Sequence, residues 1–522
     1  MPISKVLNRL FLLAGLASLV GAAGCGGGGA VIIPHPTGNY SNASFKGSYV
    51  YEIHGFLGDA SNSPYREAGV ITADGTGHIT GGIDAFSSTA LTAGPIQSSA
   101  SVTGTYTIAS DGTGQIGLGA TGLGTFAGVS QITLSITLAS TSNADLMEAD
   151  VFASGAGTAE LQDPAAISAA PNGTFVFRLH QELNAQSSAS ASEVGFFTLS
   201  GGSLTTGSMD QSLFPTSSSL LTLTAGTFST PTSFGSGTAT LSDSSPFTTN
   251  FLYFIVNSAK FVLFASNSTS VGSGRAEFQS GAVGSGLSGT YAFGSRGDDF
   301  NFFAGVATVG QFTGNGATIS AGTLDSMQDG NQDTSFPQSV AFTGTPTTTT
   351  SNPSSQGRVQ VTFNESGAFV PVIFWMVSPS RAFFLVNTPT VSAEDGTADL
   401  QTSPSFSAAS LKGQFAMVMD GIDQPLNVSV EGLARIGTLQ FDGSSKLTLV
   451  ELANASQSGS GAQPPGPMAG PYQVSSSGRV TGSLSNGSGG LTLIMYAISG
   501  TQAYVLQADP GTNTSGTVQL QQ

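Results

Sequence analysis

From about residue 45 to the C-terminus, apolar and polar positions alternate with a period of two over segments of five to eight residues, the signature of half-buried β-strands. In Gly289-Thr-Tyr-Ala-Phe293 the aromatics share one face and Thr and Ala share the other. This Gly-x-aromatic-x-apolar opening recurs at Gly47, Gly173, Gly289 and Gly413, at intervals of 126, 116 and 124 residues. Each stretch closes with a Gly-x-x-x-x-Gln segment ending at Gln162, Gln279, Gln401 or Gln521. A repeat this long exceeds a solenoid unit, so each copy is expected to be a domain.

The first copy contains eight candidate strands: Ser48–Ile53, Glu67–Thr72, His78–Asp84, Ser101–Ile108, Gln115–Leu118, Gln131–Leu138, Ala144–Ala149 and Gly157–Gln162. Asp74-Gly and Asp111-Gly mark hairpin turns, because Gly reaches positive φ at little steric cost. The gaps are too short for βαβ crossovers, so neighbouring strands should pair antiparallel. The expectation is an all-β chain of four tandem antiparallel domains, each about 115–125 residues and an eight-stranded up-and-down barrel resembling the lipocalin/avidin type, with a β-sandwich as the alternative layout. The boundaries read as 45–162, 172–279, 287–401 and 411–522. Phe251–Val256 and Val372–Val377 are apolar on both faces, which calls for an outer cover from a loop, a helix turn or the adjacent domain. With short linkers, the array reads as a monomeric stiff rod with contacts between tandem domains.

The N-terminus changes the picture. Lys5 and Arg9 precede the apolar run Leu10–Val20, and Ala22-Ala-Gly-Cys25 follows, so residues 1–24 read as a signal peptide rather than a membrane span. Residues 25–44, opening with four glycines, read as a flexible tether. Cys25 is the only cysteine, which excludes an internal disulfide framework, a Cys-rich zinc site and a CxxC centre. With 14 Lys plus Arg against 31 Asp plus Glu, the formal charge of -17 argues against nucleic acid as a partner.

Candidate chemistry is sparse. Asp84, Asp210 and Asp325 follow the third strand at equivalent positions, with Glu451 or Asn454 in the fourth copy. They read either as calcium ligands, helped by the acidic stretch to Asp333, or as turn residues accepting backbone N–H groups; the turn is favoured, and no metal or cofactor is assigned. His35, His54, His78 and His180 read as non-recurring. The lone Trp375 reads as core packing. No nucleophile elbow, HExxH or phosphate loop occurs, so no catalytic residue is assigned and the expectation is a non-enzyme.

Ala22-Ala-Gly-Cys25 resembles the lipobox of bacterial lipoproteins, with Ala22 where that family prefers Leu. The resemblance implies cleavage before Cys25 and lipidation of its thiol and amine. The repeats themselves, with Gly-x-Tyr-x-Phe, Asp-Gly-x-Gly and a terminal Gly-Thr-x-x-x-Gln, resemble modules of uncharacterised Acidobacteria-type extracellular proteins. Together these imply an extracytoplasmic chain held by its lipid at the bacterial outer membrane or cell surface, or secreted if Cys25 is not lipidated. The functional expectation is a non-enzymatic surface protein for adhesion, envelope organisation or protein contact, with a surface protein or polysaccharide as partner. Alternatives are capture of a small apolar ligand inside calycin-like barrels, and an extracellular hydrolase with carboxylates assembled in space.

Overall fold

The computed structural model describes residues 38–91, 96–97, 101–183, 189–244, 248–268, 270–299, 305–328, 338–347, 352–423, 430–487 and 489–522. The signal segment, Cys25, His35 and Asp333 lie outside the described residues. The chain forms four closed antiparallel barrels, spanning 46–161, 173–278, 287–400 and 412–520. In the first, strands Lys46–Leu57, Pro64–Asp74, His78–Ser88, Thr103–Ile108, Thr113–Gly119, Gln131–Leu138, Asn143–Glu148 and Ala153–Leu161 follow one another around the wall. Closure comes from Lys46–Leu57, which pairs with both Pro64–Asp74 and Ala153–Leu161. Two additions were not anticipated: a two-residue strand, Ile96–Gln97, and the helical turn Gly122–Ala127. That turn is capped by Thr121, whose hydroxyl accepts from Gly124 N at 3.0 Å.

The opening motif has a backbone cause. Gly47, Gly173, Gly289 and Gly413 have φ of 119°, 111°, 110° and 122°, a region that L side chains rarely adopt. The Asp-Gly turns behave as anticipated. Asp74 Oδ1 accepts from the backbone N–H groups of Thr76, Gly77 and His78, and Asp442 does the same for Ser444, Ser445 and Lys446.

The alternation drives one face of every strand inward, and rings fill the interiors. In barrel three Phe342 stacks on Phe363 with centroids 4.6 Å apart, and Phe293, Phe312, Phe374 and Phe384 continue the contact chain. Barrel two is filled likewise by Phe175, Phe177, Phe197, Phe228, Tyr253 and Phe261. At the level of these rings the axis is occupied by side chains, which removes the room that a small apolar ligand inside those barrels would need.

The barrels do not form a rod. The outward faces of strands one to three of each barrel pack on late strands of the next, and the fourth barrel packs on the first. Val50, Ala68, Val70 and Ala85 meet Phe254, Val256, Val262 and Phe264. Val176, Val194 and Phe196 meet Ile373, Trp375, Val377, Phe383 and Leu385. Ala292, Ala307, Val309 and Met327 meet Ile494, Tyr496, Ile498, Tyr504 and Leu506. Finally Val418, Ala434 and Ile436 return to Met147 and Ala156. Head-to-tail contacts of one kind close on themselves when the rotation between copies adds up to a full turn, and here four copies complete a ring. Trp375 is therefore buried between barrels rather than in a barrel's own core.

The closing glutamines are the clasps of this ring. Gln162 Nε2 donates to Phe234 O and Ile255 O of barrel two at 3.0 and 2.6 Å. Gln279 reaches Gln356 O and Met376 O at 2.9 and 2.8 Å, and Gln401 reaches Ser477 O and Ala497 O at 3.1 and 2.7 Å. Gln521 completes the set on barrel one, donating to Asp111 O and Leu138 O at 3.0 and 2.6 Å.

Candidate functional site at the ring axis

Because each barrel's first strand pairs with its own last strand, the outward residues of both turn toward the ring axis. Seven residues after the motif glycine, the four copies place His54, His180, Arg296 and Asp420. The two histidines thus do recur, at one repeat position, contrary to the reading from sequence. The axis holds a cavity of about 790 Å³ lined from all four barrels.

The charged groups there form pairs that run around the ring. Arg66 Nη2 stands 2.7 Å from Glu182 Oε1, Arg178 Nη1 stands 2.9 Å from Asp395 Oδ1, and Arg296 Nη1 stands 2.5 Å from Asp420 Oδ1. His54 Nδ1 lies 2.6 Å from Asp420 Oδ2, so barrels one, three and four meet at one carboxylate. Lower down, Arg275 bridges Glu52 and Glu160 while Arg381 bridges Glu277 and Asp399. The carboxylates of these pairs are largely buried, so removing a cation singly is costly, because the carboxylate keeps its charge without a counter-charge.

The two matched histidines differ in protonation. Burial and then the Arg296 guanidinium hold His54 below its usual value, outweighing Asp420, so it is neutral at pH 7. Burial also disfavours charge on His180, yet hydrogen bonds to Asp298 and Asp395 outweigh it and carry the ring up to about 10. Its Nε2 is 3.2 Å from Asp298 Oδ2 and its Nδ1 3.0 Å from Asp395 Oδ2, which Ser192 Oγ also approaches at 3.0 Å. Burial would raise Asp298, Asp395 and Asp420, but their cationic partners outweigh it and hold all three below the usual carboxylate range. A general acid needs the opposite shift, so these three are poorly suited to hydrolase chemistry.

The three recurring aspartates do not share a position. Asp84 lies opposite Gly69, whereas Asp210 and Asp325 lie opposite Val194 and Val309, one residue before Gly195 and Gly310. With a period of two, that single-residue offset reverses the face. Asp84 faces into barrel one, where Tyr51 Oη donates to it at 2.5 Å. Asp210 faces barrel three and accepts from Arg358 Nε and Nη2 at 2.6 and 2.5 Å and from Trp375 Nε1 at 2.8 Å. Asp325 repeats the arrangement with Arg479, at 2.7 Å twice, and with Tyr496 Oη at 2.7 Å. Both are interface acceptors rather than turn residues. Glu451 pairs with Arg435 at 2.7 Å within barrel four, and Asn454 donates to Glu148 O and Ala153 O of barrel one at 2.8 Å.

Among solved structures, the chain is similar to a double mutant of the vaccine antigen transferrin binding protein B from Haemophilus parasuis Hp5, at 10% identity over 72% of this chain and 82% of that one, with a TM-score of 0.19. No family model and no curated protein matches. The functional reading therefore rests on the geometry of the ring.

Proposed function

We propose that the chain is a non-enzymatic, extracytoplasmic binding protein, anchored through lipid on Cys25, whose ring holds a small polar solute of mixed charge in its axial cavity. The observation that carries this reading is a cavity of about 790 Å³ walled by charged side chains from all four barrels. That volume lies within the range of small-molecule sites. Arginines and carboxylates alternate around it, so a neutral-polar or zwitterionic solute meets complementary groups, and a strongly charged one meets repulsion from one set. A wider surface role in adhesion, envelope organisation or protein contact belongs to the same reading, because a ring tied by four interfaces is a stiff platform. Crystals grown with amino acids, short peptides and oligosaccharides at millimolar concentration test the cavity: an ordered solute at the axis supports the reading, and water alone in every case overturns it. Metabolic labelling with a palmitate analogue tests the anchor, since it should mark the wild type and spare Cys25→Ser.

A further inference from the structure

At the rim between barrels two and three, the cavity wall brings together three side chains whose offered ligand atoms, one from each, all lie within 4.8 Å of one another: His180, Glu182 and Asp298. His180 and Glu182 share one face of the strand Gly173–Leu183, two residues apart, and Asp298 comes from Leu287–Asp299 of the next barrel. Their surroundings show more than an acidic cluster. Glu182 is divided: Oε1 accepts from Arg66, while Oε2 is buried with no hydrogen-bond partner among the described residues. A buried carboxylate oxygen without a donor is costly, and a cation is one group that satisfies it. The His180 ring is oriented from behind by the Asp395 carboxylate at Nδ1, leaving Nε2 turned toward Asp298. A carboxylate behind the imidazole is the usual outer support of a metal-binding histidine, and a bound ion would take the place of the Nε2 proton that lies between the ring and Asp298. The lining also includes Asn513, 4% exposed, with neither side-chain oxygen nor nitrogen partnered among the described residues.

We infer that His180 Nε2, Glu182 Oε2 and Asp298 Oδ2 form a binding site for one divalent transition-metal ion, with Asp395 as the positioning residue behind the imidazole. One imidazole and two carboxylates suit Zn²⁺ or Mn²⁺ better than a soft ion, and a set drawn from only three side chains leaves coordination positions for water or solute. Local charge also balances. Three carboxylates (Glu182, Asp298 and Asp395) face two guanidiniums (Arg66 and Arg178) and the His180 imidazolium, so binding a divalent ion with release of the imidazolium proton changes the net charge by only one. The site goes beyond the polar-solute reading and stands without it, since the ion binds the wall whether or not a solute fills the cavity.

The test is titration of the intact, chelator-treated protein, free of any histidine tag, with Co²⁺ as a spectroscopic substitute and with Zn²⁺ and Mn²⁺ by calorimetry. One ion per chain is expected, with cobalt d–d absorption and a rise in melting temperature. Glu182→Gln, which keeps the acceptor for Arg66, and Asp298→Asn should each weaken binding more than about tenfold. Asp395→Asn should weaken it by roughly tenfold to a hundredfold while leaving one ion bound at saturation. Far-ultraviolet circular dichroism confirms that each variant remains folded. His78→Ala, at an exposed turn, should change nothing. Absence of saturable binding to the folded wild type would overturn the inference. So would binding that survives unchanged in a folded Glu182→Gln, Asp298→Asn double variant, because the ion would then sit elsewhere.

Discussion

Replacing Asp210 by Ala removes one carboxylate that serves two donors across the interface of barrels two and three. Asp210 is 2% exposed, and it accepts from Arg358 through both Nε and Nη2 and from Trp375 Nε1. Breaking a buried ion pair by deleting one partner costs about 3–5 kcal/mol. The Arg358 side chain is 15% exposed, so water recovers part of its charge and places that loss near the lower end, about 3 kcal/mol. The orphaned indole N–H adds about 1–3 kcal/mol by itself, but both donors share one vacated space and their losses do not sum fully. The expected total is about 3–5 kcal/mol. Trp375 is the chain's only tryptophan, so urea unfolding followed by its fluorescence reads this interface directly. Asp210→Ala should shift both the midpoint and the native emission, and Asp210→Asn, which keeps an acceptor for the indole, should fall between it and wild type. A destabilisation below about 1 kcal/mol with unchanged emission would refute the assignment of Asp210 as the interface acceptor.

Three further outcomes are expected. Gln521→Ala forfeits two hydrogen bonds to barrel one, worth about 1–3 kcal/mol together. Hydrogen exchange should therefore quicken at Gln131–Leu138 of barrel one and Thr512–Leu520 of barrel four before the other barrels, and uniform exchange would contradict the clasp. In barrel one, burial raises Glu67 and Glu148 and carries Asp84 to about 6 and Asp145 to about 8. Folded values above the unfolded ones mean that these carboxyls stabilise most below the unfolded pKa and lose that contribution as pH rises through about 6 to 8. The melting temperature should accordingly fall from pH 5 to pH 8, and Glu67→Gln should flatten the slope; a rise over that interval would count against it. Phe342→Ala opens space beside Phe363 and should cost about 3–5 kcal/mol. Wild type should take up no N-phenylnaphthylamine, and saturable uptake by wild type would show that the barrels are not filled.

Much of the fold was legible because its causes are local. Period-two alternation located all eight main strands of barrel one, and the Asp-Gly turns fixed their hairpins. The Gly-x-aromatic motif was visible, and its cause is the positive φ of its glycine. The ring was not legible, since Val50, Ala68 and Ala292 look like the quiet outer face of any half-buried strand, and only the partner barrel shows that they are interface. Gly294 makes the same point: a Cβ there would stand 2.6 Å from the Tyr504 ring of barrel four, yet in sequence it is one glycine among 70. The terminal glutamines were noticed as a pattern without a role, because their acceptors are backbone carbonyls of another barrel. The match of His54 to His180 was available by counting seven residues from each motif glycine. It was obscured because Arg296 and Asp420 occupy the same place in the other copies. The aspartates misled for the opposite reason: similar spacing hid a one-residue difference in register, which residue identity does not reveal.

The central claim is that four barrels close into one ring, and solution X-ray scattering of the chain beginning at Gly38 tests it most directly. A compact body of this length should have a radius of gyration of roughly 23 Å with a single-peaked distance distribution. A string of four barrels in line would exceed about 30 Å with a long tail, and that result would contradict the closed ring and the axial cavity it creates.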